Sequence, residues 1–321
     1  MSRVAVLAGG RSPEREVSLR SGHRVSAALE SRSHDATLID PAEAPLVETL
    51  AAGAFDVCAI ALHGKDGEDG TVQRVLETLH MPYTGTGPFA CQISFDKVLA
   101  KETLRARGIP TPPWAVVQAS ALRDLSAGAI LSAVVERVGL PAVVKPARAG
   151  SAMGLGFVER EGDLPAAVMG ALSFSDAAVV ESKVEGTEVA AAIAGAPPEV
   201  LPLVEIVPKS GVYDYASRYT SGATEYFAPA RLDQEVATDA ANVAAQAFSA
   251  LGLRDIARAD LIVDSGGHAS VLEVNVSPGM TETSLVPMAA AAAGMELPDV
   301  WDRLVQLALD RARGPEGKTT Y

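Results

Sequence analysis

Short apolar runs alternate with amphipathic stretches over residues 3 to about 90. VAVLAGG, ending at Gly10, reads as a buried strand closed by a glycine turn, and Glu16 to Glu30 carries Val17, Val25, Ala28 and Leu29 at near-helical spacing. FDVCAIALHG is a second buried strand running into a glycine-rich loop, followed by a helix through Val72, Val75, Leu76 and Leu79. The pattern predicts a small doubly wound α/β unit. Ligands of such sheets sit beyond the carboxyl ends of the strands, and both loops there, GGRSPERE and HGKDGEDG, are polar and charged.

From about Ser94 the texture changes. A helix through Val98, Leu99 and Leu104, with Ser94 as its expected cap, ends at Gly108, and IPTPPW makes an extended link. Short strands follow in PAVVKPA, MGLGFV, DAAVVES and EVAAAIAG, with a helix predicted from Leu164 to Leu172. The last third holds a long irregular stretch, GVYDYASRYTSGATEYFAPARL, then a helix from about Gln234 to Leu251, a hairpin, and a closing helix near Val300 to Ala312. The irregular stretch is either a lid or simple disorder; its tyrosines (Tyr213, Tyr215, Tyr219, Tyr226) favour the lid. The tail GPEGKTTY reads as frayed.

The hairpin, ARADLIVDSGGHASVLEVNVS, has a register that can be counted. Gly266-Gly267 suits the positive φ angles of a two-residue turn, so Ser265 faces His268; counting outward, Asp260 faces Glu273 and Arg258 faces Asn275. These four then share one side of the sheet, and Ala259, Leu261, Leu272 and Val274 form the opposite, apolar side. Facing carboxylates repel. Either a divalent cation sits between them, with the Asn275 amide oxygen completing a set that suits magnesium, or Arg258 alone neutralises the pair on a solvated face.

Composition narrows the field. A chain of 321 residues allows two or three compact units. A net charge of −13 argues against a nucleic-acid binder, so any anionic ligand must be held by a few placed cations. Cys58 and Cys91 lie in apolar runs as small core residues, too few for a disulfide framework or a metal cluster. Val4 to Ala8 is too short for the core of a signal peptide, and Ala289 to Ala293 reads only as an alanine-rich helical piece, far short of a membrane span. The expectation is a cytoplasmic protein.

Two lysines suggest phosphate. Lys145 ends a strand and leads into a loop of small residues, Ala147 to Gly154, whose backbone N–H groups could approach a phosphate closely. Lys97 sits in the first turn of a helix, the unfavourable end of the dipole for a cation, so it either points into water or is held by an anion. Beside Lys145, that loop and the hairpin carboxylates, a nucleotide phosphate is the better reading. Gly9-Gly10 is too little for a dinucleotide fingerprint, and Gly317-Lys318-Thr319 lacks the earlier glycine of a P-loop.

Nine segments in order, AGGRSPEREVSL, IALHGKDGEDGTVQ, PYTGTG, SFDKVLAK, VVKPARAGSAMG, VVESKVEGTE, YDYASRYTSGATEYFAPA, ARADLIVD and LEVNVSPGMTETSLVP, resemble the ATP-grasp enzymes and, within them, the D-alanine–D-alanine ligases. The resemblance implies α/β and α+β structure in a three-domain ATP-grasp architecture. Residues 1–93 would form an N-terminal α/β domain on a doubly wound parallel sheet, 94–185 a central ATP-grasp subdomain, and 186–321 a C-terminal ATP-grasp domain with lid loop and metal site. ATP is implied as a substrate clasped between the last two, with magnesium (two ions, manganese able to substitute). Lys97 and Lys145 match the ATP-phosphate lysines; Glu181, Ser182, Lys183 and Val184 the adenine hinge; Glu188 the ribose acid; Asp260, Glu273 and Asn275 the metal ligands.

Glu14 matches the group holding the first amino acid's ammonium, with Ser151 and Tyr219 as its partners in closing the lid, and His63 matches the first-site histidine. Arg258 and the Gly279 backbone match groups steadying developing negative charge, and Ser284 and the Leu285 amide match the grip on the second carboxylate. Arg218, near the phosphate or that carboxylate, stands where the family usually has lysine. Ala152, Ser182-Lys183 and Val276 also depart from the usual pattern. The implied reaction joins two D-alanines through an acyl phosphate for peptidoglycan precursors, in a homodimer with no nucleic-acid or membrane partner. The rivals are a ligase taking D-serine, D-lactate or another second substrate, a non-catalytic nucleotide-binding regulator, and an NAD enzyme built on the N-terminal unit. The missing fingerprint weighs against the last, and the retained lysines, acids and Arg258 against the regulator.

Overall fold

The structure, a computed structural model, describes residues 1–313 apart from Ser221 and the side chain of Tyr219. Among these residues three sheets follow one another along the chain. β1 (Arg3–Leu7), β2 (Asp35–Ile39) and β3 (Val57–Ile60) pair in parallel in the order β2-β1-β3. β1 and β3 are continuous apolar runs because both of their faces are covered. Val4, Val6, Val57 and Ala59 pack into one core; Ala5, Leu7, Cys58 and Ile60 pack into another with Leu76 and Tyr83. β2 is an edge strand whose apolar residues are separated by Thr37 and preceded by Asp35, so it shows no continuous hydrophobic run.

β4 (Trp114–Gln118), β5 (Ala142–Pro146), β6 (Gly156–Val158) and β7 (Ala177–Ser182) form an antiparallel sheet in the order β4-β7-β5-β6. Ala142, Val144, Ala178 and Val180 face helices Ala127–Val138 and Leu164–Leu172. Alternation turns Val143, Lys145 and Glu181 to the other side, where they line a cleft.

β8 (Thr187–Ala194), β9 (Glu199–Val200), β10 (Val204–Pro208), β11 (Thr224–Phe227), β12 (Ile256–Val263) and β13 (Ala269–Asn275) make the third sheet, ordered β11-β10-β8-β12-β13 with β9 on β8. Helix Gln234–Ala250 covers Val189, Ala191 and Ile193; helix Leu285–Ala292 and the N-terminal sheet share a core with Ala190, Ala192 and Ala194. The first and third sheets are therefore docked through a common apolar core. Helix Leu297–Arg313, with Trp301 buried, packs on helix Arg15–Ser31. No helix among the described residues is long and apolar enough to cross a membrane.

Three expectations need correction. The stretch read as irregular contains helix Tyr215–Tyr219, where the Asp214 carboxylate accepts from Ser217 N at 2.9 Å, and β11, which pairs with β10. The cap of helix Lys97–Ala106 is Asp96, not Ser94; its carboxylate accepts from Val98 N at 2.9 Å and Leu99 N at 3.2 Å, while Ser94 belongs to the preceding helix Pro88–Phe95.

The third correction concerns the hairpin. Arg258 does pair with Asn275 and Asp260 with Glu273, but the turn has three loop residues, Ser265 to Gly267. Asp264 O accepts from Gly267 N at 3.0 Å, and Gly267 takes φ +82°. A bulge at Leu272 then restores the offset, so two departures cancel. The bulge also puts Leu272 on the cleft, while Ala259, Leu261, Val271 and Val274 stay in the core. Nor is the charged side solvated, since every residue of β12 is buried.

Candidate active site

Two compartments adjoin where the sheets meet. The larger, about 630 Å³, lies between the free side of the central sheet and the C-terminal sheet; Lys145, Glu181, Ser182, Lys183, Val184, Glu188 and Asp260 line it. The smaller, about 120 Å³, opens toward the N-terminal sheet and is lined by Glu14, His63, Ser151, Arg258, Asn275, Gly279, Ser284 and Leu285. Lys97, Arg218 and Glu273 border both. Each residue assigned from the resemblance thus lines one compartment or both, except Tyr219, whose side chain lies outside the described residues, as does the Gly317-Lys318-Thr319 triplet.

The shared wall is built of opposed charges. Lys97, the first residue of its helix, donates from Nζ to Ala149 O at 2.8 Å and stands 3.4 Å from Glu273 Oε2. Arg218 lies 4.5 Å over the Tyr213 ring, with Nη2 3.8 Å from Glu273 Oε1. Burial alone would raise the Glu273 pKa, but Lys97, Arg218, Lys145 and Arg258 outweigh it and hold the carboxyl down at about 2. Glu273 is therefore anionic at any physiological pH. Each Asp260 oxygen accepts one hydrogen bond from Arg258 and keeps a lone pair, and Asn275 Oδ1 accepts from Ser277 N at 2.9 Å.

A magnesium ion fits this donor set. Glu273 stands at ion-pair distances from its cations, not in tight hydrogen bonds, so its oxygens keep lone pairs to offer. Among the described residues no group of three His, Cys, Asp or Glu side chains could hold a metal. An ion here would complete its shell with phosphate oxygens and water, as magnesium commonly does.

In the smaller compartment Glu14 Oε1 accepts from Ser151 Oγ, which joins the first sheet's loop to the loop after β5. A Cβ on Gly64 would come within 2.4 Å of Glu14 Oε2, and one on Gly150 within 2.6 Å, so both glycines are needed to admit that carboxylate. Burial raises the Glu14 pKa above the usual range, opposed by the Ser151 hydrogen bond. Leu285 opens helix Leu285–Ala292, where backbone N–H groups lack partners within the helix. A Cβ on Gly279 would meet Ser284 Oγ at 2.8 Å, which lets the Gly279 backbone lie against that helix start.

His63 is held through both nitrogens of its ring. Its Nδ1 is 2.9 Å from Ser277 O, which can only accept, so Nδ1 carries the hydrogen and Nε2 accepts from Ser21 Oγ at 3.0 Å. Ser21 Oγ also accepts from Met280 N at 3.0 Å. Burial pulls the imidazole pKa down to about 4, leaving it neutral. Both ring nitrogens serve the protein, clamping the turn around Gly279 to helix Arg15–Ser31.

A family profile described as "D-ala D-ala ligase C-terminus" matches residues 103–306, and one described as "D-ala D-ala ligase N-terminus" matches residues 42–86. The chain belongs to the D-alanine–D-alanine ligase family. It is 45% identical over 313 residues to a D-alanine–D-alanine ligase of Desulforudis audaxviator, covering 96% of this chain and 99% of that one. It is 43% identical over 309 residues to that of Pelotomaculum thermopropionicum, covering 96% and 97%. A Bacillus anthracis D-alanine–D-alanine ligase solved with ATP superposes at a TM-score of 0.81 with 29% identity, over 96% of this chain and 98% of that one. The architecture is accordingly that of an ATP-grasp ligase, and the protein is an enzyme.

Two residues of this family member escaped the sequence reading. Glu68 is buried, 3.9 Å from His63 Nδ1, and burial with the nearby Glu14 charge pushes its carboxyl up to about 8. In HGKDGEDG it is one of three acids with no periodicity to single it out. Lys101 is buried against Glu181 at 2.8 Å; its spacing of four from Lys97 on one helix was the available signal.

Proposed function

We propose that this ligase joins two D-alanines into D-alanyl-D-alanine, with release of ADP and phosphate, in the supply of peptidoglycan precursors. The wall of Lys97, Arg218 and Glu273 carries the reading: the end of a triphosphate in the larger compartment would meet a small carboxylate in the smaller one. The names of the relatives and the ATP bound to the Bacillus anthracis enzyme agree with it. Residues 1–93 serve the amino acids, and 94–185 and 186–321 are the two jaws on the nucleotide.

In this reading Glu181 to Val184 border the adenine, and Glu188 faces the ribose, its carboxyl raised by burial to about 7. Lys97 and Lys145 hold phosphates. Asp260, Glu273 and Asn275 would hold magnesium, which when bound screens phosphate charge. Glu14 takes the ammonium of the first D-alanine, and a carboxylate oxygen of that D-alanine attacks the γ-phosphorus while the bond to ADP breaks. Ser284 and the Leu285 N–H hold the carboxylate of the second D-alanine, with Arg218 near it. Its amine then attacks the acyl phosphate carbon, the carbon–oxygen bond breaks, and phosphate leaves. Arg258 and the Gly279 N–H steady the oxyanion between these events. Ser151 and Tyr219 close the lid and keep water from the acyl phosphate. A cytoplasmic homodimer belongs to the same reading.

ADP release tests it, with D-alanine alone and with D-alanine paired with D-serine or D-lactate. D-Alanine alone should elicit ADP and dipeptide in equal amounts. ATP binding without turnover in any arm would make the protein a regulator, and turnover confined to a paired arm would change the second substrate.

A further inference from the structure

One buried cation has no part in that reaction. Lys101 has a side chain only 3% exposed, and its Nζ lies 2.8 Å from Glu181 Oε2 and 2.5 Å from Thr111 Oγ1. Thr111 Oγ1 in turn donates to Val271 O at 2.9 Å, on the strand that bears Glu273. The other oxygen of Glu181, itself 2% exposed, meets Lys145 Nζ, and Lys145 lines the larger compartment. Two ammonium groups thus share one buried carboxylate. The cluster carries one net positive charge.

We propose that Lys101 is a positioning residue for nucleotide phosphate: by satisfying Glu181 from behind, it lets Lys145 turn its charge to the phosphate without stranding a buried anion. The inference rests on the nucleotide reading above. Removing one member of a buried ion pair is costly because it leaves the other uncompensated. Were Lys145 the only partner of Glu181, a phosphate would have to take it from that carboxylate. Lys101 removes most of this competition and gives the cluster its net charge. A purely structural Lys–Glu pair would need only one lysine.

The test is the affinity of the full chain for ADP and for adenosine, by calorimetry, in wild type and Lys101→Met. Methionine keeps the length of the side chain and removes the charge. ADP binding should weaken about tenfold, the scale of one partly screened charge interaction, while adenosine stays within about twofold. Lys101→Arg should recover most of the ADP affinity. Equal weakening of ADP and adenosine, or no change in either, would overturn the proposal. If Lys101→Met does not fold, Thr111→Val decides, since it keeps every charge and removes the oxygen that anchors the ammonium. A phosphate-selective loss of about threefold supports the proposal, and unchanged ADP affinity overturns it. Wild type that binds adenosine and ADP equally would overturn the phosphate-site reading and this inference with it, whereas normal ADP preference retained in the variants would overturn the inference alone.

Discussion

Arg258 grips Asp260 through two parallel hydrogen bonds, Nε to Oδ1 at 2.6 Å and Nη2 to Oδ2 at 2.7 Å, within a strand buried on both faces. Such a strand is ordinarily apolar, and a buried ion pair compensates for its desolvation only when its geometry is good. The pair fixes the guanidinium beside the smaller compartment, where a lysine would keep the charge and lose the fork. Arg258→Lys should therefore lower kcat by about 100-fold or more. Steady-state ADP release checks this, and a rate within about threefold of wild type would remove the guanidinium from the mechanism.

Glu273 sits under four cations that keep it ionised. Glu273→Gln retains the shape and loses the charge, so phosphoryl transfer should fall by about 100-fold or more at limiting magnesium. The circular dichroism spectrum and unfolding midpoint should stay near those of wild type. Unchanged ADP formation at limiting magnesium would refute its part in holding the ion.

Ser151 lowers the pKa of a Glu14 carboxyl that burial raises. Glu14 must be ionised to hold an ammonium, so kcat/KM for the first D-alanine is lost as pH falls through that pKa. Ser151→Ala removes the lowering contribution, and the acid limb of the profile should move to higher pH. An unmoved acid limb would show that the hydrogen bond does not set this ionisation.

Much of this site was legible because its parts repeat physical patterns. The pairing of Asp260 with Glu273 followed from counting outward from a two-residue turn, and it holds because the three-residue turn and the bulge at Leu272, both invisible in the sequence, cancel. Both depend on backbone torsions that a Gly-Gly pair permits without dictating. Lys97 stood out because a cation opens a helix, whereas nothing local marks Lys101, buried in the same helix, as different from an exposed helical lysine. The two nitrogens of His63 find partners from Ser21 and Ser277, which are brought together only by tertiary packing. β2 (DATLI) and β11 (TEYF) were missed because polar residues interrupt them, leaving no unbroken apolar run like those of β1 and β3.

His63 also makes a stability prediction. Its unfolded imidazole binds a proton near the ordinary histidine pKa of 6.5, but the folded one does so only at about 4. The unfolded state therefore takes up more protons in that window, and this residue's contribution to stability falls as pH drops through it. His63→Gln can still donate to Ser277 O and has no such penalty. The stability of wild type relative to the variant should drop by about 2 kcal/mol from pH 7.5 to pH 5 in denaturant titrations. A difference independent of pH would mean that the imidazole titrates in the fold as it does in the unfolded chain.

Transfer of labelled oxygen tests the central claim most directly. With D-alanine carrying oxygen-18 in its carboxylate, the account predicts one labelled oxygen in each phosphate released with dipeptide. The attacking carboxylate oxygen becomes bonded to phosphorus and departs with it. Phosphate free of label during full dipeptide synthesis would contradict the acyl phosphate, and with it the meeting of triphosphate and carboxylate at Glu273.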